Sequence, residues 1–213
     1  MSKNTMTTRE RIIEVAGDIF GMDGFKAATI RKIAEAANAN VASINYYFRD
    51  KEGLYAEVLE QLFAYGFKKF PADMGININS SAEDRLKAFI RGMFFRLMSS
   101  DGWGGISGKA RLLARELMEP TPAFESTIEK YIKPHKEILV SILADLTWPD
   151  VGVDKLLLCS ISIIGQCIYY AFATPVIQRI APEFIPVEEN LERLADHVYT
   201  FSIGGIRAIK EVS

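Results

Sequence analysis

Apolar residues recur along this chain at three- and four-residue spacing, and no stretch alternates with the period of two that a half-buried strand shows. The pattern predicts an all-α fold. The first stripe is Ile12, Ile13, Ala16, Ile19 and Phe20, on a helix from about Thr8 to Asp23. Thr7 and Glu10 have the spacing of a capping box at its start, and Gly24 follows as a C-cap glycine, with Phe25 plugging the small core beneath. Ile30, Ile33, Ala34 and Ala37 form a second, shorter stripe, whose first turn the Thr29 hydroxyl can cap. Asn38 tolerates a left-handed conformation and ends that helix, and Asn40 caps a third, Val41 to Phe48. There Ile44, Tyr47 and Phe48 are spaced to pack, which turns Ala42, Ser43, Asn45 and Tyr46 outward. Asp50 opens a fourth helix, about 51–67, carried by Leu54, Val58, Leu62 and Tyr65; its length lets it link a small domain to a larger one.

Beyond a loop from Phe70 to Ser81, Ser80 and Glu83 have capping-box spacing. A helix to about Ser99 follows, with Leu86, Phe89, Ile90, Met93, Phe94 and Leu97 inward. Four glycines surround Trp103 between Ser100 and Gly108, so Trp103 reads as a packing plug or the wall of a pocket. A short helix from Gly108 to Glu119 is stopped by Pro120-Thr121-Pro122, and Pro122 can start the next one. The segment from Ala123 to Leu146 is helical in pattern, with a kink expected near Ile132 because Pro134 forfeits a backbone bond. Thr147-Trp148-Pro149-Asp150 is a loop, Pro175 breaks the end of the helix after it, and Pro182 and Pro186 precede a last helix from Val187 to Lys210.

Charge sharpens the picture only slightly. The net charge is −2. Residues 1–56 carry eight Lys/Arg against seven Asp/Glu, and residues 57–213 carry 17 against 20. A nucleic-acid-binding N-terminus would therefore depend on the placement of Arg31, Lys32, Arg49 and Lys51, not on a general basic field. No charged residue falls between Lys155 and Arg179, a run long enough to span a bilayer. Ser160, Ser162, Gln166 and Gln178 interrupt it, Pro175 breaks it and no signal peptide opens the chain, so it reads as a core or interface helix of a cytoplasmic protein. Cys159 and Cys167 would lie ~12 Å apart along one helix, which excludes a disulfide between them and suggests buried thiols.

Two short helices on a tight turn, the second small and weakly charged, suit insertion into a DNA major groove. Ser43 and Asn45 would read bases, with Ala42 beside them on the DNA-binding face, while Thr29, Arg31, Tyr46, Tyr47 and Lys51 would hold phosphates. Thr29-Ile30-Arg31-Lys32-Ile33-Ala34-Glu35-Ala36-Ala37, Asn45-Tyr46-Tyr47-Phe48 and Lys51-Glu52-Gly53-Leu54-Tyr55 resemble the DNA-binding domain of the TetR family of bacterial transcriptional regulators. Arg9 to Ile13, Ala16, Phe20 and Gly24-Phe25 are similar to that family's first helix. Family members often have Gly-Val-Ser where this chain has Asn38-Ala39-Asn40, and Leu-Tyr where it has Ile44-Asn45, so no relative's operator carries over. The run from Arg111 to Phe124, with Tyr131 to Pro134, resembles the larger domain of CecR-type regulators within that family.

The resemblance implies an N-terminal three-helix helix-turn-helix domain (1–53) and a larger helical domain (54–213) that binds ligand and dimerises. It implies a homodimer through the last two long helices, about 154–178 and 187–210, with Gly165, Ala171, Gly204 and Gly205 allowing close approach. It also implies double-stranded palindromic DNA as one partner and a small-molecule effector as another. An apolar cavity with few placed polar groups is how such effector sites look. The candidate walls are Met93, Phe94, Leu97, Trp103, Arg111, Tyr131, Gln166 and Tyr170. Arg111, if buried, would need an acidic partner or ligand. With two histidines and no phosphate loop or nucleophile elbow, neither a metal, a cofactor nor an enzymatic function is expected; Glu116, Glu119, Glu125 and Glu129 with His135 read as solvated helix charges. The alternative is a helical small-molecule-binding module or enzyme without a DNA role.

Overall fold

The computed structural model describes residues 6–77, 79–104, 108–147, 151–184 and 190–212. Helices are the only regular elements among them, and the chain divides into two compact units. The polar stretch 1–5, the tip of the Trp103 loop, Trp148 to Asp150, Pro186 and the expected helix start at Val187 lie outside the described residues.

The first unit comprises residues up to Ala64 together with 106–129. It holds α1 (Thr8–Ala27), α2 (Ile30–Ala36), α3 (Val41–Phe48) and most of α4 (Lys51–Lys69). The Thr7–Glu10 capping box forms in both directions: the Thr7 N–H donates to Glu10 at 2.8 Å, and the Glu10 N–H to the Thr7 hydroxyl at 3.3 Å. Gly24 leaves helical geometry at φ 80°, where the sequence places the C-cap. The stripe Ile12, Ile13, Ala16, Ile19 and Phe20 is buried with Ile33, Ala34, Ile44, Leu54, Tyr55 and Leu59.

The same unit contains a segment from later in the chain. After α5 (Ala82–Met98), α6 (Gly108–Met118) packs on α1, followed by a 3₁₀ turn at Pro122–Phe124 and α7 (Glu125–Thr127). Contact with α1 is at backbone distance: a Cβ on Gly21 would lie 2.0 Å from the Gly108 carbonyl oxygen. Leu112, Leu113 and Glu116 form the buried stripe of α6. Glu116 thus departs from the expectation of a solvated charge, whereas Glu119, Glu125 and Glu129 are exposed. Spacing explains it, since Glu116 falls one turn beyond the Leu112-Leu113 pair. Its carboxylate accepts from the Tyr55 hydroxyl, from the Thr121 N–H at 2.9 Å and from the Thr121 hydroxyl at 3.0 Å.

The second unit spans 65–105 and 130–213. It is built round α5, which packs against α8 (Lys133–Leu146), α9 (Val153–Phe172) and α11 (Leu191–Val212); α10 (Thr174–Ile180) packs on α9. The α5 N-cap is Ser81 with Asp84, not Ser80 with Glu83; Ser80 instead accepts from the Asn77 N–H within the loop. Consecutive serines each followed three residues later by an acid made the two registers equivalent in sequence. Before Pro134 the chain widens into a π turn, Ile128–Ile132, and restarts as α8 with the proline in its first turn, which places the expected distortion. Pro175 likewise opens α10. Around the core, Arg91–Glu192 and Arg207–Glu83 bridge α5 and α11 at 2.5 and 2.8 Å. Such exposed pairs contribute at most about 1 kcal/mol each and fix alignment more than stability.

Two glycines one turn apart on α1 give opposite expectations. Gly21→Ala forces α1 and α6 apart and should cost ~1–3 kcal/mol. At Gly17 the nearest atom, of Val58, would be 3.5 Å from the new Cβ, so Gly17→Ala should stabilise by ~0.5–1 kcal/mol through helix propensity. Urea unfolding of both variants checks the pair, and equal shifts would contradict the close approach.

Candidate nucleic-acid interface and effector cavities

α2 and α3 are each set by a local cap. The Thr29 hydroxyl accepts from the Lys32 N–H at 3.2 Å, and Asn40 Oδ1 accepts from the Ser43 N–H at 2.6 Å. Between them Asn38 adopts φ 47°, the left-handed conformation that its residue type favours. Arg11 on α1 holds this turn, its Nε donating to the Ala37 carbonyl at 2.7 Å. α3 ends at Arg49, φ 72°, and α4 begins so close by that a Cβ on Gly53 would lie 2.1 Å from the Phe48 carbonyl oxygen. α3 is therefore gripped at both ends.

Its outer face carries the residues the pattern turned outward. Ala42, Asn45 and Tyr46 are exposed and Ser43 is half-exposed, its hydroxyl donating to Asn40 Oδ1 at 2.9 Å. Ile44 and Phe48 are buried, but Tyr47 is 42% exposed and lies against Tyr46 with ring centroids 5.2 Å apart, so Tyr47 belongs to the outer face and not to the core. Thr29 and Arg31 are exposed on α2. Lys51 is half-buried. Its ammonium donates to the carbonyls of Phe25 and Ala28 at 3.0 and 3.2 Å and sits 4.5 Å from the Phe25 ring centroid, so two of its three protons already tie α4 to the end of α1.

In the second unit the proposed pocket walls separate into two groups. Phe94 and Tyr170 meet at 6.0 Å, and Tyr170 and Gln166 line a cavity of about 740 Å³ with Phe184 and Arg193. Trp103, buried as a plug, and Tyr131 both pack on Phe67, at 5.9 and 5.7 Å between ring centroids. Met93 is half-buried and Leu97 buried. Arg111 is not with them: it is exposed on α6, in the first unit, on the face opposite Leu112 and Leu113.

The buried arginine is Arg96, 3% exposed, which the sequence reading missed. Its Nη1 donates to the Phe70 carbonyl at 2.5 Å and its Cζ lies 4.2 Å from the Phe67 ring centroid. Burial pulls its pKa down to about 9. The signal was present, because Phe89, Gly92, Met93 and Arg96 share one helix face. His135 packs on the same Phe67 ring at 3.8 Å and is held neutral, its pKa lowered to about 4 by burial and then by Arg96. Burial likewise raises the Cys167 thiol to about 12, as for an inert core cysteine, while Cys159 is half-buried.

The last long helices keep an apolar face open. Val153, Leu158, Ile161 and Tyr169 on α9 and Phe201 on α11 are each more than half exposed, and Gly165, Gly204 and Gly205 have open space where a Cβ would stand. Ala171, by contrast, is buried within the chain. By length and composition α9 could also cross a membrane, with 28% of its apolar window buried in this chain.

Comparison with known proteins agrees on what these parts belong to. Residues 12–58 match the family described as bacterial regulatory proteins, tetR family, and residues 82–206 match the C-terminal domain of the HTH-type transcriptional dual regulator CecR. CecR of Shigella flexneri is 27% identical over 179 residues, covering 79% of this chain and 78% of CecR. The probable HTH-type regulator YttP of Bacillus subtilis is 34% identical over 77 residues, so the chain spans only 37% of that relative. Among solved structures, AibR in complex with isovaleryl coenzyme A and operator DNA superposes with a TM-score of 0.63 at 16% identity, over 92% of this chain and 97% of AibR.

The Lys51 geometry makes a prediction that needs no DNA. Lys51→Met removes two part-buried charge-assisted bonds to backbone carbonyls and should lower stability by ~1.5–3 kcal/mol in urea unfolding of the free protein. An unchanged midpoint would show that the ammonium has no structural role.

Proposed function

This chain belongs to the TetR family of bacterial transcriptional regulators, with a CecR-type C-terminal domain, and we propose that it acts as a homodimeric repressor released from a palindromic operator by a small, largely apolar compound. The observation that carries this reading is α3. It is fixed at both ends and presents Ala42, Ser43, Asn45, Tyr46 and Tyr47 to solvent without a partner surface of its own.

Each protomer places α3 in a major groove, and twofold symmetry matches the palindrome. Ser43 and Asn45 read base edges. Thr29, Arg31, Tyr46 and Tyr47 hold phosphates, and Lys51 adds its third proton to one. The partner protomer covers the open faces of α9 and α11, where aliphatic side chains beside glycines favour close helix packing. This reading accounts for the length and apolarity of α9 in a cytoplasmic protein. The effector binds in the helical domain and acts through its differential affinity for the DNA-competent and incompetent states. AibR, solved with both an acyl coenzyme A and operator DNA, supports a two-ligand arrangement on this fold.

Native mass spectrometry with a palindromic fragment from the region upstream of its own gene tests the proposal, the expected species being a dimer on one duplex. A monomer that ignores this fragment and also genome-wide selected fragments would instead favour a helical binding module. Asn45→Ala should cost ~1–3 kcal/mol on operator and relax specificity at one position; equal losses on operator and random DNA would remove Asn45 from base reading. Ile161→Glu should yield a folded monomer in sedimentation, and an intact dimer would move the interface elsewhere.

A further inference from the structure

The charge on Arg96 is not balanced by any group among the described residues. Among the described residues no carboxylate pairs with it; its polar partner is the neutral Phe70 carbonyl, and the Phe67 ring covers its face. A guanidinium has five N–H donors in a planar fork. Burying one with so few acceptors is costly, and a stable helical core does not require it. The groups round Phe67 are otherwise apolar or neutral: Trp103, Tyr131 and His135, whose Nδ1–H donates to the Tyr131 carbonyl at 2.9 Å. Phe67 and His135 in turn line a cavity of about 670 Å³, walled by Pro71, Ala72, Ile138 and Ile142, within the size range of small-molecule sites. Its other charged groups are accounted for: Arg85 pairs with Asp145 at 2.6 Å, and Asp73 and Glu137 stand exposed. Arg96 therefore lies one aromatic ring behind the wall of a cavity that holds no other unpaired cation among the described residues.

We propose that this cavity takes a monocarboxylate with an apolar body, and that Arg96 is the group its carboxylate pairs with once the Phe67 ring turns aside. The inference rests on the effector-responsive reading above and narrows the effector's chemical class. A single buried positive charge matches a monoanion; a phosphate dianion would leave the site with a net negative charge. A carboxylate also fits the guanidinium fork bidentately, which replaces the weaker contact with the Phe67 ring. Phe67 lies on α4, the helix whose other end abuts α3, so the ring displaced by the ligand belongs to the element that carries the reading head.

The test is calorimetry on the full-length protein without DNA. The probes are hexanoate, octanoate, dodecanoate and phenylacetate, each against the matching alcohol, with octyl phosphate as the dianion. The wild type should bind at least one carboxylate tenfold or more tighter than its alcohol and than octyl phosphate. Arg96→Met should bring acid and alcohol within twofold of each other, with a melting temperature unchanged or raised, and Arg96→Lys should restore part of the preference. Three results overturn the proposal: no carboxylate binds, octyl phosphate is preferred, or Arg96→Met melts lower with the acid preference intact, which makes Arg96 purely structural. DNA binding of the same Arg96→Met protein, measured in parallel, separates the two readings. If it is retained while no carboxylate binds, the regulator stands and this inference falls.

Discussion

The hydrogen bond from Tyr55 to Glu116 is the interaction on which the first unit depends. It joins α4 to α6 in a place where neither group can turn to water. Burial and the Glu116 carboxylate both hold the Tyr55 phenol protonated, well above its ordinary pKa. Glu116 in turn is tolerable inside because Thr121 supplies two further donors. Tyr55 also packs edge-on against Phe20 and on Phe25, both at 4.8 Å between ring centroids, and Lys51 lies over Phe25. One connected cluster thus runs from α6 through α4 and α1 to the start of α4, where α3 ends. The pose of α3 therefore depends on this cluster and not on three N-terminal helices alone.

That dependence changes what a regulatory signal has to do. With α6 and the turn after it packed into the N-terminal unit, residues 106–129 share its compactness although they come from the middle of the chain. The chain passes between the two units within α4, near residue 105 and inside the π turn. Two of these passages lie in helical backbone. Under the proposed function, an effector need not touch the outer face of α3. It needs a different affinity for two arrangements of these connections, and the magnitude of that difference bounds how far it can shift DNA binding.

Much of this architecture was legible in the sequence because it is local. Thr7 with Glu10, Thr29, Asn38 and Asn40 act within four residues of themselves, and each formed as the spacing required. The outer face of α3 followed from periodicity, apart from Tyr47, whose ring is large enough to stand out beside Tyr46. Local rules failed where two registers were equally good, as at Ser80 and Ser81. They failed again where a charge sat on an apolar stripe. Glu116 and Arg96 were read as solvent-facing or passed over because charged residues are seldom buried, and Arg111 was preferred to Arg96 although it lies on the wrong face of its helix. What a buried charge bonds to depends on residues far away in sequence (Tyr55 for Glu116, Phe67 and Phe70 for Arg96), and no local pattern contains that information.

The two buried charges are handled in opposite ways, and the contrast separates structure from function. Glu116 is surrounded by donors that approach its carboxylate from two segments, so its burial is compensated by the fold itself. Among the described residues Arg96 has no such set of partners: one N–H reaches a carbonyl, and the Phe67 ring covers the guanidinium. A residue kept only for packing could be replaced by methionine at little or no cost, since buried ionic groups rarely stabilise more than apolar ones of similar volume. An incompletely satisfied cation beside a cavity is a local instability of the kind that binding sites retain, because stability and preorganised function trade against each other. By that argument the uncompensated charge, and not the larger cavity beside Tyr170, is where the proposed effector would meet the helical domain.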